Sequence, residues 1–154
     1  MNYLNERELP LDKMMPLIKE RLSEGGEIRI SPKGTSMLPM LRQGRDSVVL
    51  SPVTEKLRKY DLPLYQRDDG KYILHRIIEC DNDYNCIGDN QFDIEKDVKH
   101  EQIIALVSGF YREKRYYSVN NIFYKAYSRF WHHTRKLRKT ILRIKNKLKR
   151  ILKK

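Results

Sequence analysis

This sequence has no long apolar runs. No stretch approaches the ~20 consecutive apolar residues that span a bilayer. Residues 1–10 are polar and acidic, so no secretory signal is expected there. Cysteine is scarce, with only Cys80 and Cys86. They flank a turn-like cluster at 81–85. A disulfide across a hairpin is geometrically conceivable in an oxidising compartment, but two reduced thiols are the simpler expectation. No histidine pair lies nearby, so the spacing does not suggest zinc. Histidine is rare as well, four in 154 residues. Adjacent His132 and His133 cannot share a helix face, and His100 has no evident partner. Neither a cofactor nor a metal is expected.

Acidic residues are nearly absent from the last third. From Arg112 onward there are 16 Lys and Arg and one acid, Glu113, a local charge of +15. The preceding part holds 16 basic and 19 acidic residues, a charge of −3. A mildly acidic globular part therefore carries a basic tail, which points to an anionic partner, phospholipid or nucleic acid.

Leu11, Met14, Met15, Ile18 and Leu22 recur at helical spacing. Asp12 serves as a candidate N-cap, and Gly25-Gly26 is a stop. Pro16 is tolerable near the first turn and would otherwise trim or kink the helix. Strands follow. Residues 27–31 alternate, and 47–50 are β-branched and expected to be buried on both faces. Pro63 places 62–65 at a sheet edge or at the start of a strand. The turn at 67–70 predicts a hairpin between 64–65 and 72–74, with 71–79 as the longest strand. Residues 103–111 form a further apolar strand. The expected class is mostly β with a short N-terminal helix. Beyond it, Val119, Ile122, Phe123, Ala126, Tyr127 and Phe130 share a helical face. Leu137, Ile141, Ile144, Leu148 and Ile151 repeat at four-three spacing among basic residues, an amphipathic cationic helix. Tyr124, Phe130 and Trp131 suit a membrane interface. The expected segments are 1–26 (helical), 27–111 (β domain) and 112–154 (basic tail).

Three short boxes carry the chemistry. Ser36-Met37-Leu38-Pro39 follows Gly34. The middle box holds Tyr60-Asp61-Leu62-Pro63-Leu64-Tyr65-Gln66-Arg67, then Gly70 and Ile73-Leu74-His75-Arg76-Ile77. The last is Ile87-Gly88-Asp89-Asn90. A serine hydroxyl needs an adjacent base, and the base needs an orienting partner; serine, histidine and aspartate stand here in that order. The pattern resembles the S24/S26 serine peptidase superfamily, which includes type I signal peptidases and LexA-like self-cleaving repressors. His75-Arg76 matches the histidine type found in archaeal and endoplasmic-reticulum signal peptidases, rather than the lysine type. The resemblance covers roughly residues 27–111. It implies a twisted, partly open β fold, Ser36 as nucleophile, His75 as general base and a preference for small residues before the cut. It also implies that the backbone N–H of Ser36 helps form an oxyanion hole.

Gly34 allows a substrate to approach the backbone closely, and a neutral imidazole suits proton transfer near pH 7. Arg76 is expected to hold structure or a carboxylate. The orienting acid is open among Asp89, Asp93 and Asp97: Asp93 is favoured for orienting His75 and Asp89 for building the turn.

The leading expectation is a signal-peptidase-like serine endopeptidase acting on a peptide or leader sequence. Residues 115–154 would hold it at an anionic membrane surface, on the cytoplasmic side of the inner membrane. The alternative is a non-enzymatic or self-cleaving LexA-like regulator whose tail binds nucleic acid. The tail's regular apolar stripe favours lipid, because a DNA-binding basic region needs no stripe. The short N-terminal helix is too small for a helix-turn-helix unit.

Overall fold

The computed structural model describes residues 10–151. The expectations for residues 1–9 and for the last three residues of the tail lie outside the described residues. Helix α1 (Leu11–Ser23) buries Met15, Ile18 and Leu22, as its spacing predicts. Its N-cap is Pro10 rather than Asp12; Asp12 lies in the first turn, where a carboxylate complements the helix dipole. Pro16 sits inside the helix without ending it. The stop is at Gly25, in the left-handed region at φ +76°. There the Gly26 N–H bonds back to the Arg21 carbonyl at 3.0 Å.

Among the described residues nine strands follow: β1 (Ile28–Ile30), β2 (Asp46–Ser51), β3 (Pro63–Gln66), β4 (Tyr72–Leu74), β5 (Arg76–Cys80), β6 (Tyr84–Ile87), β7 (Glu95–Val98), β8 (Ile103–Arg112) and β9 (Arg115–Ser118). They form two open antiparallel sheets. One has the order β1-β2-β8-β3-β4 with β9 also paired to β8; the other is β5-β6-β7. The chain is thus mostly β, with a short N-terminal helix and helices at the C-terminal end. Val48, Val49 and Leu50 are buried on both faces. Pro63 begins β3, where its missing N–H costs no ladder bond. The hairpin forms as expected, with Leu64 opposite Leu74 and Tyr65 opposite Ile73.

Residues 71–79 are not one strand. The chain leaves the first sheet after Leu74 and enters the second at Arg76, and His75 is the corner. Two backbone bonds enforce the change: Ile77 N–H to the Asp61 carbonyl at 2.9 Å, and Tyr60 N–H to the Ile77 carbonyl at 2.8 Å. They draw β5 away from β4. The apolar run reads continuously because each half fills a different core. Leu74 packs against the core under α1, with Ile18, Leu50 and Val107, whereas Ile77 joins Tyr65, Tyr84, Cys86 and Val98.

Cys80 and Cys86 are free thiols. Cys80 lies opposite Tyr84 and Cys86 opposite Ile77, so the two are not cross-strand neighbours. Burial pushes the Cys86 thiol up to about 12, which keeps it protonated.

The expected boundary at 111/112 falls at the end of β8, and β9 then pairs back onto that strand from Arg112–Arg115 to Gly109–Ser118. Helix α2 (Ile122–His133) also belongs to the folded body. Ser128 is buried, and Tyr124 and Tyr127 pack on the main core. Ile122, Phe123 and Phe130 are instead exposed. Ile122, Phe123, Ala126 and Phe130 thus lie on one exposed face, with Tyr127 at its half-buried edge. The helix turns its tyrosines inward because Tyr124 and Ser128 reach a buried arginine, described below. Helix α3 (Arg135–Ile151) buries none of its residues. Among the described residues, no helix is long and apolar enough to cross a membrane.

Candidate active site

Ser36 lies in the loop between β1 and β2, half-buried. Gly34 precedes it at φ +90°, and its N–H is held by Gln43 Oε1 at 2.7 Å. A left-handed backbone there favours glycine over any side chain. The peptide bond between Leu38 and Pro39 is cis. The last box clasps this loop from the other sheet. Asn90 N–H donates to the Ser36 carbonyl at 2.8 Å, and Asn90 Nδ2 to the Thr35 carbonyl at 3.2 Å. A Cβ at position 88 would stand 2.7 Å from the Ser36 carbonyl, so Gly88 is what lets the two loops touch.

His75 is buried at the corner between β4 and β5, 4% exposed. Ser36 and His75 line one cleft of about 270 Å³, walled by Met14, Ile30, Met37, Leu64 and Leu74 among others. The Tyr65 hydroxyl stands 3.4 Å from His75 Nδ1 and donates to Glu95 Oε2 at 2.7 Å. Glu95 Oε2 is itself 3.7 Å from Nδ1. Arg67 clamps the same carboxylate with two bonds, at 2.5 and 2.6 Å. With its proton committed to Glu95, the Tyr65 oxygen can only accept from His75. That arrangement favours the tautomer with hydrogen on Nδ1 and a free lone pair on Nε2.

The electrostatics suit a neutral imidazole. Burial pushes the His75 pKa down to about 4; Glu95 pulls it up and Arg67 pushes it down. Burial also raises the Glu95 carboxyl, but the hydrogen bonds from Arg67 and Tyr65 outweigh it, and its pKa is lowered on balance. Near pH 7 the pair is a neutral base beside a carboxylate. The depressed histidine pKa also costs stability in acid. As pH falls from 6.5 toward 4, the unfolded chain takes up a proton that the native imidazole refuses, a loss of up to about 3 kcal/mol.

The acids are placed differently from one another. Asp89 is buried, and Arg76 holds it with Nε and Nη2 bonds of 2.8 Å each. Arg76 Nη1 also donates to the Tyr60 carbonyl at 3.1 Å, to Tyr124 Oη at 2.9 Å and to Ser128 Oγ at 3.1 Å. This pair welds β5 to the turn after β6. Asp93 is exposed and borders a wider hollow with Arg67, His75 and Glu95. Asp97 is exposed at φ +57°. The carboxylate that meets Nδ1 belongs to Glu95, which the sequence reading passed over. Its signal was faint: an acid at the head of a polar strand, opposite Cys86. Tyr65 lay inside the middle box and reads there as an ordinary strand tyrosine.

His132 and His133 lie at the end of α2, and His132 packs edge-on against Tyr60 with ring centroids 5.7 Å apart. Set against protein-family models, curated proteins and solved structures, the chain matches none of them.

Proposed function

We propose that this chain is a signal-peptidase-like serine endopeptidase, with Ser36 as nucleophile and His75 as general base. The observation that carries the reading is the shared cleft: a half-buried serine and a neutral, buried histidine face one apolar groove. In the proposed reaction His75 Nε2 takes the Ser36 hydroxyl proton as Oγ attacks the scissile carbonyl. The Ser36 N–H faces the developing oxyanion. The proton then passes to the leaving amine, and water hydrolyses the acyl-enzyme by the same route. Glu95, acting with Tyr65, stabilises the imidazolium that forms in between. β4 is the last strand of its sheet, and its open edge leads into His75. An extended peptide adding to that edge would bring its carbonyl to Ser36 and a small apolar side chain into the cleft.

Two results test the base. The acid limb of kcat/KM is expected near pH 4 rather than near 6.5, because the limb reports the free-enzyme base. Glu95→Gln removes the anion that raises the His75 pKa. The limb is expected to move to still lower pH, and kcat to fall about ten- to a hundredfold. Asp93→Asn is expected to leave both unchanged. An effect confined to Asp93 would exchange the two roles.

The proposed seat of this activity is an anionic membrane surface on the cytoplasmic side. Leu137, Ile141, Ile144, Leu148 and Ile151 are each more than half exposed and span an arc of about 80° at 100° per residue. The rest of α3 is cationic, without an acid. Such a face has lipid acyl chains to bury against and phosphates to pair with. Ile144→Glu with Leu148→Glu is expected to abolish co-sedimentation with anionic vesicles and to leave cleavage of a soluble peptide intact. Wild-type binding is expected to weaken with salt. Failure to bind vesicles together with tight, salt-sensitive binding to DNA or RNA would move the tail to a nucleic-acid role.

A further inference from the structure

Trp131 is half-buried, and its indole is tied to the folded body. Its Nε1–H donates to the Asp89 carbonyl at 2.7 Å. Arg138, at the start of α3, donates to the same oxygen from Nη1 at 3.3 Å and to the Trp131 carbonyl from Nη2 at 2.8 Å. Its guanidinium lies 3.8 Å over the indole, and Tyr127 stacks on the indole with an 18° interplanar angle. The indole is therefore held by two ring contacts as well as by its hydrogen bond.

That bond lands on the turn that clasps the nucleophile loop. Asp89 is followed by Asn90, whose N–H holds the Ser36 carbonyl, and preceded by Gly88, which abuts it. The same helix reaches the histidine side through Tyr124 and Ser128, both bonded to Arg76, the chain neighbour of His75. The C-terminal helices thus grip both halves of the serine–histidine pair from outside the cleft.

We propose that Trp131 is a positioning residue for the active site: by holding the Asp89 carbonyl it fixes the Gly88–Asn90 turn and, through Asn90, the main chain of Ser36. The inference rests on the peptidase reading. It also changes what the tail is for. A chain ending after Arg112 would lose its lipid-binding face and the support of its nucleophile together.

Trp131→Phe keeps an aromatic ring for Tyr127 and Arg138 but removes the N–H together with the fused second ring, so the lost hydrogen bond is read at Asn90, next to the carbonyl it held. On a soluble peptide, without lipid, kcat is expected to fall about tenfold with KM within about twofold, since a small misplacement of a reacting group costs rate more than binding. Labelling of Ser36 by a fluorophosphonate is expected to slow by the same factor. Amide exchange at Asn90 is expected to accelerate, while exchange at Val107, bonded to the Leu62 carbonyl at 3.0 Å, stays as in the wild type. Unchanged kcat and unchanged Asn90 exchange would overturn the proposal. If Ser36→Ala cleaves as fast as the wild type, the peptidase reading fails instead. The Asn90 exchange then still decides whether Trp131 holds the turn.

Discussion

Ser36→Ala is expected to abolish peptide cleavage and fluorophosphonate labelling, and His75→Ala to abolish cleavage as completely, both proteins remaining folded. Each loss should reach at least about a thousandfold, the scale at which nucleophile and base fail elsewhere. Ser36 is half-buried in a loop held through its main chain, Asn90 N–H bonding the Ser36 carbonyl at 2.8 Å, so removing Oγ disturbs little packing. His75 is buried, yet its Tyr65 contact is long and Tyr65 retains Glu95. The double variant should be no worse than either single one, because the two groups act as a unit. Additive losses would mean that they serve different steps. Cleavage at the wild-type rate by Ser36→Ala would remove the serine mechanism altogether.

Asp89→Ala is expected to cost about 3–5 kcal/mol, the scale for removing one partner of a buried ion pair. Both side chains of the Arg76–Asp89 pair are 3% exposed or less. The remaining guanidinium would keep Tyr60, Tyr124 and Ser128 as partners but no counter-charge. Against a typical total of about 5–15 kcal/mol, that leaves a marginal fold. Urea unfolding measures it directly. A midpoint shift no larger than that from removing an exposed pair such as Lys71–Asp69 would show that the pair is not structural.

Much of the architecture was written in local pattern. The periodicity of α1, the doubly buried β2 and the Asp-Gly turn of the β3–β4 hairpin each depend on residues close together in the chain. The break at His75 was not legible, because both halves of 71–79 are apolar and the bonds that separate them come from Tyr60 and Asp61, far back in the chain. The serine and histidine could be named from their boxes. Glu95 could not, since its nearness to Nδ1 comes from β7 pairing with β6, a non-local event. The inward turn of α2 was hidden for a similar reason. Tyr124 and Trp131 have interface chemistry, and their partners, Arg76 and Asp89, lie far back in the chain.

The corner at His75 has one more implication. Ser36 hangs from the end of the first sheet but is tied to a turn of the second, while His75 belongs to neither. Neither sheet alone can bring the two groups together. Contacts between distant parts of a chain form late, after the loops they close have been entropically constrained. A newly made chain would carry both reactive groups and yet stay inert until the sheets dock. On the proposed peptidase reading, proteolytic competence would then report completed folding, and half-formed copies would not attack one another.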